Sequence, residues 1–272
     1  MRADDYAYFD APFIPYAHRG GATYPPNLHR ENTAYAFGQA VALGYRYLET
    51  DVHASDDGVL LAFHDPVLDR VTDRRGVIAQ LPYAEITRAR IGGLEPIPTL
   101  AELFTRFPQC RFNIDAKSDT AVELLADTIE EHGAQDRVCV SSFSVRRLHR
   151  LRRRLGPRVA SSASMHGIAW NRFVPVLNQL LNTPAPALQM PAEHVVLGRN
   201  RRILTPALVN VVHRAGKQVH IWTIDESETM TQLIDAGVDG IFTDRIDTLK
   251  SVLTQRGLWT EPAPEHSPAT GE

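Results

Sequence analysis

Along most of the chain, short apolar runs alternate with longer stretches in which apolar positions recur every third or fourth place. The short runs read as strands: IPYAH (14–18), YRYLETDV (45–52), RFNIDA (111–116), RVCVSS (137–142), RVASSA (158–163), ALQMP (187–191), QVHIWTI (218–224) and GIFT (240–243). Each is bounded by Gly, Pro, Asn or Asp, which end strands through their backbone preferences. The helical periodicity covers 32–43, 99–107, 119–133, 144–155, 170–181, 205–215, 226–236 and 245–255. In TIDESETMTQLIDAG, Asp225 is placed to cap a helix, acids fill its first turn and Gly237 stops it. Eight strand-then-helix units predict an α/β fold, a (β/α)8 TIM barrel. A doubly wound open sheet would usually carry a GxGxxG loop after its first strand, and HRGGATYPPN lacks one. Residues 66–98 break the rhythm and are expected to form a small inserted cap after the second strand. The expected domain is a single barrel over 1–260, followed by a Pro-rich acidic tail, 261–272, expected to be disordered.

Polar residues concentrate at one end of these strands. His18 and Arg19 close the first, Glu49 and Asp51 interrupt the second, and Asp115 and Lys117 end the third. Trp222 ends the seventh, and Asp244 follows the eighth. Active sites of this architecture lie at the carboxyl ends of the strands. Carboxylates in an apolar strand are costly unless something neutralises them. A hard, oxygen-preferring cation, Ca²⁺ or Mg²⁺, suits Glu49, Asp51 and Asp115.

The stretch YLETDVHASDDGVLLAFHD (47–65) reads as a strand running past the barrel rim, a turn at Asp56-Asp57, and an antiparallel return. A two-residue turn would pair 55 with 58, 53 with 60 and 49 with 64. His64 would then face Glu49, with Asp51 and His53 on the same side. Asp56 and Asp57 are read as turn residues without a chemical role.

In this order His18-Arg19-Gly20, Glu31-Asn32-Thr33, Glu49-Thr50-Asp51-Val52 and His64-Asp65, followed by NIDAK, IWTID and DGIFTD, resemble the glycerophosphodiester phosphodiesterase family over about residues 15–250. The resemblance implies a TIM barrel that hydrolyses glycerophosphodiesters to sn-glycerol 3-phosphate and an alcohol. It implies His18 and His64 as the acid–base pair, and Glu49, Asp51 and Asp115 as ligands of a divalent metal. It also implies Arg19 and Lys117 on the phosphate oxygens, Trp222 as a wall of the substrate pocket, and Glu31 beside Arg19. Three departures stand out: a long first loop with Arg30 where the family has proline, Asp115 where glutamate is common, and Asp225 where asparagine is frequent. Two rival readings are a lysophospholipase D-like lipid phosphodiesterase, with Val67, Leu68, Val71 and Ile78 of the cap offering an acyl groove, and a non-catalytic barrel that binds a phosphorylated ligand.

Composition narrows the partners. The formal net charge of −3, with both signs mixed, does not make the basic face a nucleic-acid binder needs. No segment is apolar enough for stable membrane insertion, and the N-terminus lacks a signal-peptide pattern. Cys110 and Cys139 lie far apart, as expected of reduced, buried thiols. Together these read as a cytoplasmic enzyme acting on a small molecule. The oligomeric state, the alcohol group and the choice of metal stay open. The basic run RRLHRLRRR (146–154) reads as a solvated helix face rather than an anionic-membrane contact. His29 and His53 are given supporting roles near the site, and His220 is read equally well as a core histidine.

Overall fold

The computed structural model describes residues 1–164, 184–196, 199–202 and 204–260. The expected helix over 170–181, His166, the side chain of His194 and the tail 261–272 lie outside the described residues.

The strands are β1 (Ile14–His18), β2 (Tyr47–Ala54), β3 (Leu60–Ala62), β4 (Arg111–Ala116), β5 (Val138–Ser141), β6 (Ala160–Ser164), β7 (Ala187–Pro191), β8 (Glu193–Val196), β9 (Arg199–Arg202), β10 (Gln218–Trp222) and β11 (Gly240–Thr243). Eight of them are parallel neighbours in the order β1-β11-β10-β7-β6-β5-β4-β2, and a β1–β2 pairing closes the ring. The result is the TIM barrel. β3 is an antiparallel addition to the outer end of β2, and β8 and β9 form a separate hairpin.

The described helices are α1 (Ala34–Ala42), α2 (Tyr83–Ile86), α3 (Leu100–Arg106), α4 (Ala121–Glu131), α5 (Val145–Leu155), α6 (Pro206–Arg214), α7 (Ser227–Asp235) and α8 (Ile246–Gln255). Their starts follow from local chemistry. Thr33, Ser144 and Thr205 each accept a backbone N–H of the first turn, and Thr99 forms a capping box with Glu102. Asp225 does not cap α7 as its position suggested. Its Oδ1 instead accepts the Asp244 amide at 2.8 Å and the Thr243 hydroxyl at 3.0 Å, so it holds the end of β11. A carboxylate takes the pair of donors that tertiary packing offers in preference to one helix amide.

Three apolar layers fix the barrel. Two lie between strands and helices, centred on Phe37, Phe104, Phe112 and Leu125 on one side and on Leu188, Val219, Ile241 and Leu249 on the other. The third fills the barrel's interior at its lower end, where Tyr8 of the N-terminal segment packs with Tyr16, Tyr47 and Phe242. His220 sits beside them, fully buried, with Tyr16 Oη 3.2 Å from its Nδ1. Burial alone drives its pKa down to about 3, so it is a neutral core residue.

Residues 66–98 build a fourth, separate cluster. Leu68, Ile78, Ile86 and Ile91 pack there against Leu61 and Phe63 of the return strand. Leu68 and Ile78, half of the acyl groove suggested by the sequence, are thus consumed in packing.

The basic run lies on α5 and faces the acidic side of α4. Arg147 pairs with Asp119 just before α4, Arg150 pairs with Glu123, and Arg154 pairs with Asp127 and Glu130. These are exposed ion pairs on a solvated face.

Candidate active site

Parallel registration brings the polar strand ends together. His18 is the direct partner of Glu49, and Asp51 is the direct partner of Asp115. Residues paired across parallel strands point the same way, so all four turn into the barrel mouth. With Arg19, His64, Asn113, Lys117, Phe143, Gln189 and Trp222 they line a cavity of about 220 Å³. Glu31 stands behind it and accepts a bond from Arg19 Nη1 at 3.2 Å. The structure therefore assembles all nine residues singled out in the sequence.

The turn after β1 is unusual. Arg19 has a left-handed backbone (φ 51°), followed by Gly20 and Gly21 at 86° and 89°. A Cβ on Gly20 would lie 2.8 Å from that of Ala36, so glycine allows α1 to approach. This conformation aims the Arg19 amide at Glu49 Oε2, 3.2 Å away. Asn32, also left-handed, accepts the Thr50 hydroxyl and donates weakly to Asp51 Oδ2 at 3.5 Å.

Charge is tightly balanced. Lys117 Nζ lies 2.8 Å from Asp51 Oδ1 and 2.7 Å from Asp115 Oδ2. Arg19 Nε is 3.3 Å from Asp51 Oδ2. Burial works against the Lys117 charge, but Asp51 and Asp115 outweigh it and raise its pKa. Burial opposes ionisation of Asp51 too, yet Lys117 and Arg19 hold its carboxyl below the usual range. Burial, and then Asp51, push Glu49 up to about 7, and the charges of His18, Arg19 and Lys117, which act to lower it, are outweighed. Asp115 is raised as well, chiefly by burial, and its Oδ1 is buried without a hydrogen-bond partner. Among the described residues no ready-made group of metal-ligating side chains is closed around a single point.

Each histidine is oriented by a carboxylate. His18 Nδ1 is 2.8 Å from Asp244 Oδ1, and its Nε2 is 3.7 Å from Glu49 Oε2. Burial disfavours its cation, but Glu49 and Asp244 prevail and raise its pKa. His64 Nδ1 is 2.6 Å from Asp65 Oδ1, and its backbone carbonyl meets His53 Nε2 at 3.0 Å. In both rings Nε2 is the nitrogen left for chemistry.

The hairpin that delivers His64 differs from the expected one. Val52 pairs with Ala62, His53 with Leu61 and Ala54 with Leu60. The turn holds three residues rather than two, because Gly58 (φ 82°) adopts the left-handed position that extends a turn by one residue. An unbroken ladder would then put His64 opposite Thr50, on the wrong face. The regular ladder instead stops at Ala62, with one last bond from Phe63 N to the Asp51 carbonyl, and a bend carries His64 back to the cavity. The 49–64 pairing is incorrect, but the juxtaposition it was meant to explain is present.

Two groups escaped prediction as members of the site. Asp244 was visible only as a polar residue after β11, and nothing local says that it reaches His18. Asp65 is adjacent to His64 in sequence, but its bond to the ring depends on the bend.

Comparison with known proteins bears on the family and the fold. A family model described as "Glycerophosphoryl diester phosphodiesterase family" matches residues 18–248. A Mycobacterium tuberculosis protein described as "Probable glycerophosphodiester phosphodiesterase 2" is 39% identical over 251 residues, covering 90% of this chain and 92% of its own. A glycerophosphodiester phosphodiesterase of Caldanaerobacter subterraneus is 30% identical, covering 89% of this chain and 98% of its own. The fold is similar to that of an Oleispira antarctica phosphodiesterase solved with the product sn-glycerol-3-phosphate: TM-score 0.76, 24% identity, and 91% and 99% of the two chains covered.

Proposed function

We propose that this chain, which belongs to the glycerophosphoryl diester phosphodiesterase family and is a phosphoric diester hydrolase, cleaves glycerophosphodiesters to sn-glycerol 3-phosphate and an alcohol by two-histidine acid–base catalysis. The observation that carries the reading is one cavity holding two carboxylate-oriented imidazoles, two cations and three carboxylates.

The carboxylates fit a divalent cation. Glu49 is held close to neutrality and Asp115 Oδ1 accepts no hydrogen bond, so each has an oxygen to offer an added cation. All the donor atoms are oxygens, which suits Ca²⁺ or Mg²⁺ rather than zinc. Glu49, Asp51 and Asp115 would hold the ion, and it would supply Lewis-acid neutralisation of the phosphate charge.

The chain's own groups account for the remaining needs. Arg19 and Lys117 neutralise phosphate oxygens within a largely buried pocket, where such charges act more strongly than in water. One imidazole accepts a proton from the attacking water, or first from the glycerol 2-hydroxyl to give a cyclic phosphate. The other donates a proton to the departing alkoxide. Asp244 and Asp65 keep each Nδ1 occupied and so present Nε2. Trp222 and Phe143, edge to face at 5.9 Å, wall the cavity beside Lys117, whose Nζ is 5.0 Å from the Phe143 ring centre. No described helix is long and apolar enough to cross a membrane, which suits a small substrate reached from water.

The test is a product assay on glycerophosphocholine, glycerophosphoethanolamine and lysophosphatidylcholine, with Ca²⁺ and Mg²⁺ compared. Release of sn-glycerol 3-phosphate from the first two is expected, and its loss after EDTA and dialysis. Turnover of lysophosphatidylcholine alone would favour the lipid phosphodiesterase reading. Full activity after chelation would sink the metal assignment.

A further inference from the structure

A single guanidinium in the inserted cap touches both halves of the cavity's machinery. Arg70 Nε donates to Asp65 Oδ2 at 2.6 Å, and Nη2 donates to Asp65 Oδ1 at 3.1 Å. On its other edge Nη1 donates to Glu31 Oε2 at 2.9 Å, and Nη2 donates to Glu31 Oε1 at 2.7 Å. Behind Asp65 lies His64, whose Nδ1 is 2.6 Å away. Behind Glu31 lies Arg19, whose Nη1 donates across 3.2 Å and whose Nε is 3.3 Å from Asp51. One chain of charge-assisted contacts thus runs His64–Asp65–Arg70–Glu31–Arg19–Asp51.

We propose that Arg70 is a positioning residue that fixes His64 and Arg19 relative to one another across the site; this rests on the phosphodiesterase reading of the cavity. The argument is geometric. His64 sits in a bend beyond the last regular rung of its strand, and the Arg19 amide makes the last β1–β2 bond, to the Glu49 carbonyl at 3.0 Å, so both side chains leave from the ends of their ladders. Among the described residues Asp65 orients the His64 ring, Glu31 and Asp51 orient the Arg19 guanidinium, and Arg70 in turn grips both Asp65 and Glu31. A planar fork with donors on two edges can grip two carboxylates at once, whereas an ammonium is a point cation. The Arg70 side chain is 47% exposed, so its ion pairs contribute little to folding. Its role is in placement. The pairing also keeps both carboxylates ionised as acceptors.

The cap therefore does more than cover the rim: it supplies the contact that sets the separation of an acid–base group from a phosphate-binding group. A misplacement of about 1 Å at such groups can cost on the order of 10²-fold in rate.

The test measures kcat and KM on glycerophosphocholine, with thermal unfolding alongside. The set is wild type, Arg70→Met, Arg70→Lys, Glu31→Gln, the Arg70→Met/Glu31→Gln double variant, and His64→Ala. Arg70→Met is expected to lose on the order of 10²-fold in kcat/KM, through raised KM (the Arg19 arm) and lowered kcat (the His64 arm), with a Tm near wild type. Arg70→Lys keeps the charge without the fork and is expected to recover less than about tenfold. Glu31→Gln is expected to raise KM alone, and the double variant to be no worse than Arg70→Met, since Glu31 acts through the same contact. Should the Met variant fail to fold, the Lys variant carries the same comparison. Arg70 variants within about twofold of wild type in both constants, or losses that multiply in the double variant, would overturn the inference. An active His64→Ala would remove the reading beneath it and the inference together. An inactive His64→Ala beside a wild-type-like Arg70→Met would remove the Arg70 inference alone.

Discussion

Lys117 Nζ bridges Asp51 and Asp115 at 2.8 and 2.7 Å, so one ammonium serves two of the three clustered carboxylates. The same side chain is assigned to the substrate's phosphate, and the two roles compete. Lys117→Met should lower kcat/KM by about 10²–10³-fold. It should also bind a divalent cation at least as tightly as wild type, because a competing positive charge has gone. Isothermal titration with Ca²⁺ checks this. Weaker metal binding in the variant would mean that Lys117 supports the cluster rather than substituting for a cation.

Glu49 predicts a pH dependence for metal binding. Burial and Asp51 raise its pKa to about 7, so below that pH it carries a proton that a metal must displace. Affinity should fall by about tenfold per pH unit below about 7 and level off above it, for one proton released. Titrations between pH 5.5 and 8.5 would show it, those limits being chosen to lie roughly either side of that value. A flat profile would take Glu49 out of the ligand set.

The same residue predicts a stability effect with the opposite sense for function. A carboxyl whose folded pKa is raised binds its proton more tightly folded than unfolded. In the metal-free protein this stabilisation is present at low pH and is lost as pH rises through the folded value. Glu49→Gln should therefore raise the metal-free Tm by several degrees at pH 8 and have little effect at about pH 4, near the unfolded carboxyl's own pKa. Activity should be lost at both. A lower Tm at pH 8 would contradict the account of Glu49 as destabilised by burial.

Asp244 holds the His18 ring at 2.8 Å and helps to raise its pKa, after Glu49. Asp244→Asn keeps the shape but removes the charge. The limb of the pH–rate profile that belongs to His18 should move to lower pH, and kcat should fall by about 10²-fold or more as the ring loses its orientation. His18→Ala and His64→Ala should each nearly abolish turnover while leaving the circular dichroism spectrum unchanged. An Asp244→Asn profile that overlays wild type would separate Asp244 from catalysis.

The parts of this site that were legible in the sequence are those encoded by alternation. Glu49 and Asp51 stand out because they break an apolar strand, and Asp115 because it ends one. Parallel pairing then makes their neighbours follow. What was not legible depends on where strands stop. The turn at Asp56–Gly58 looks like a two-residue turn until Gly58 takes a positive φ, and that single dihedral moves the register by one. Whether His64 then faces the cavity is decided by the break after Ala62, which no periodicity announces. Asp225 shows the same limit from the other side. Its place before a helix matches a cap, yet its bonds go to a strand end that is distant in sequence. Contacts such as Asp244 with His18, 226 positions apart, belong to barrel closure and have no local trace.

The segment 66–98 buries its apolar residues with Leu61 and Phe63, not with the barrel's helices. Leu60 and Ala62 of the return strand are buried in the barrel's core, so that strand is tied to both sides, and the segment 66–98 is the part that would open as a unit distinct from the barrel. His64 and Asp65 lie between Phe63 and that segment, so a cap opening would carry them out of the cavity while the carboxylates stayed on their strands. In amide-exchange terms, residues 66–98 would form a foldon whose closing free energy gates the site. A phosphodiester held by His64 and Arg19 would slow exchange there first, well before it altered protection in the barrel strands.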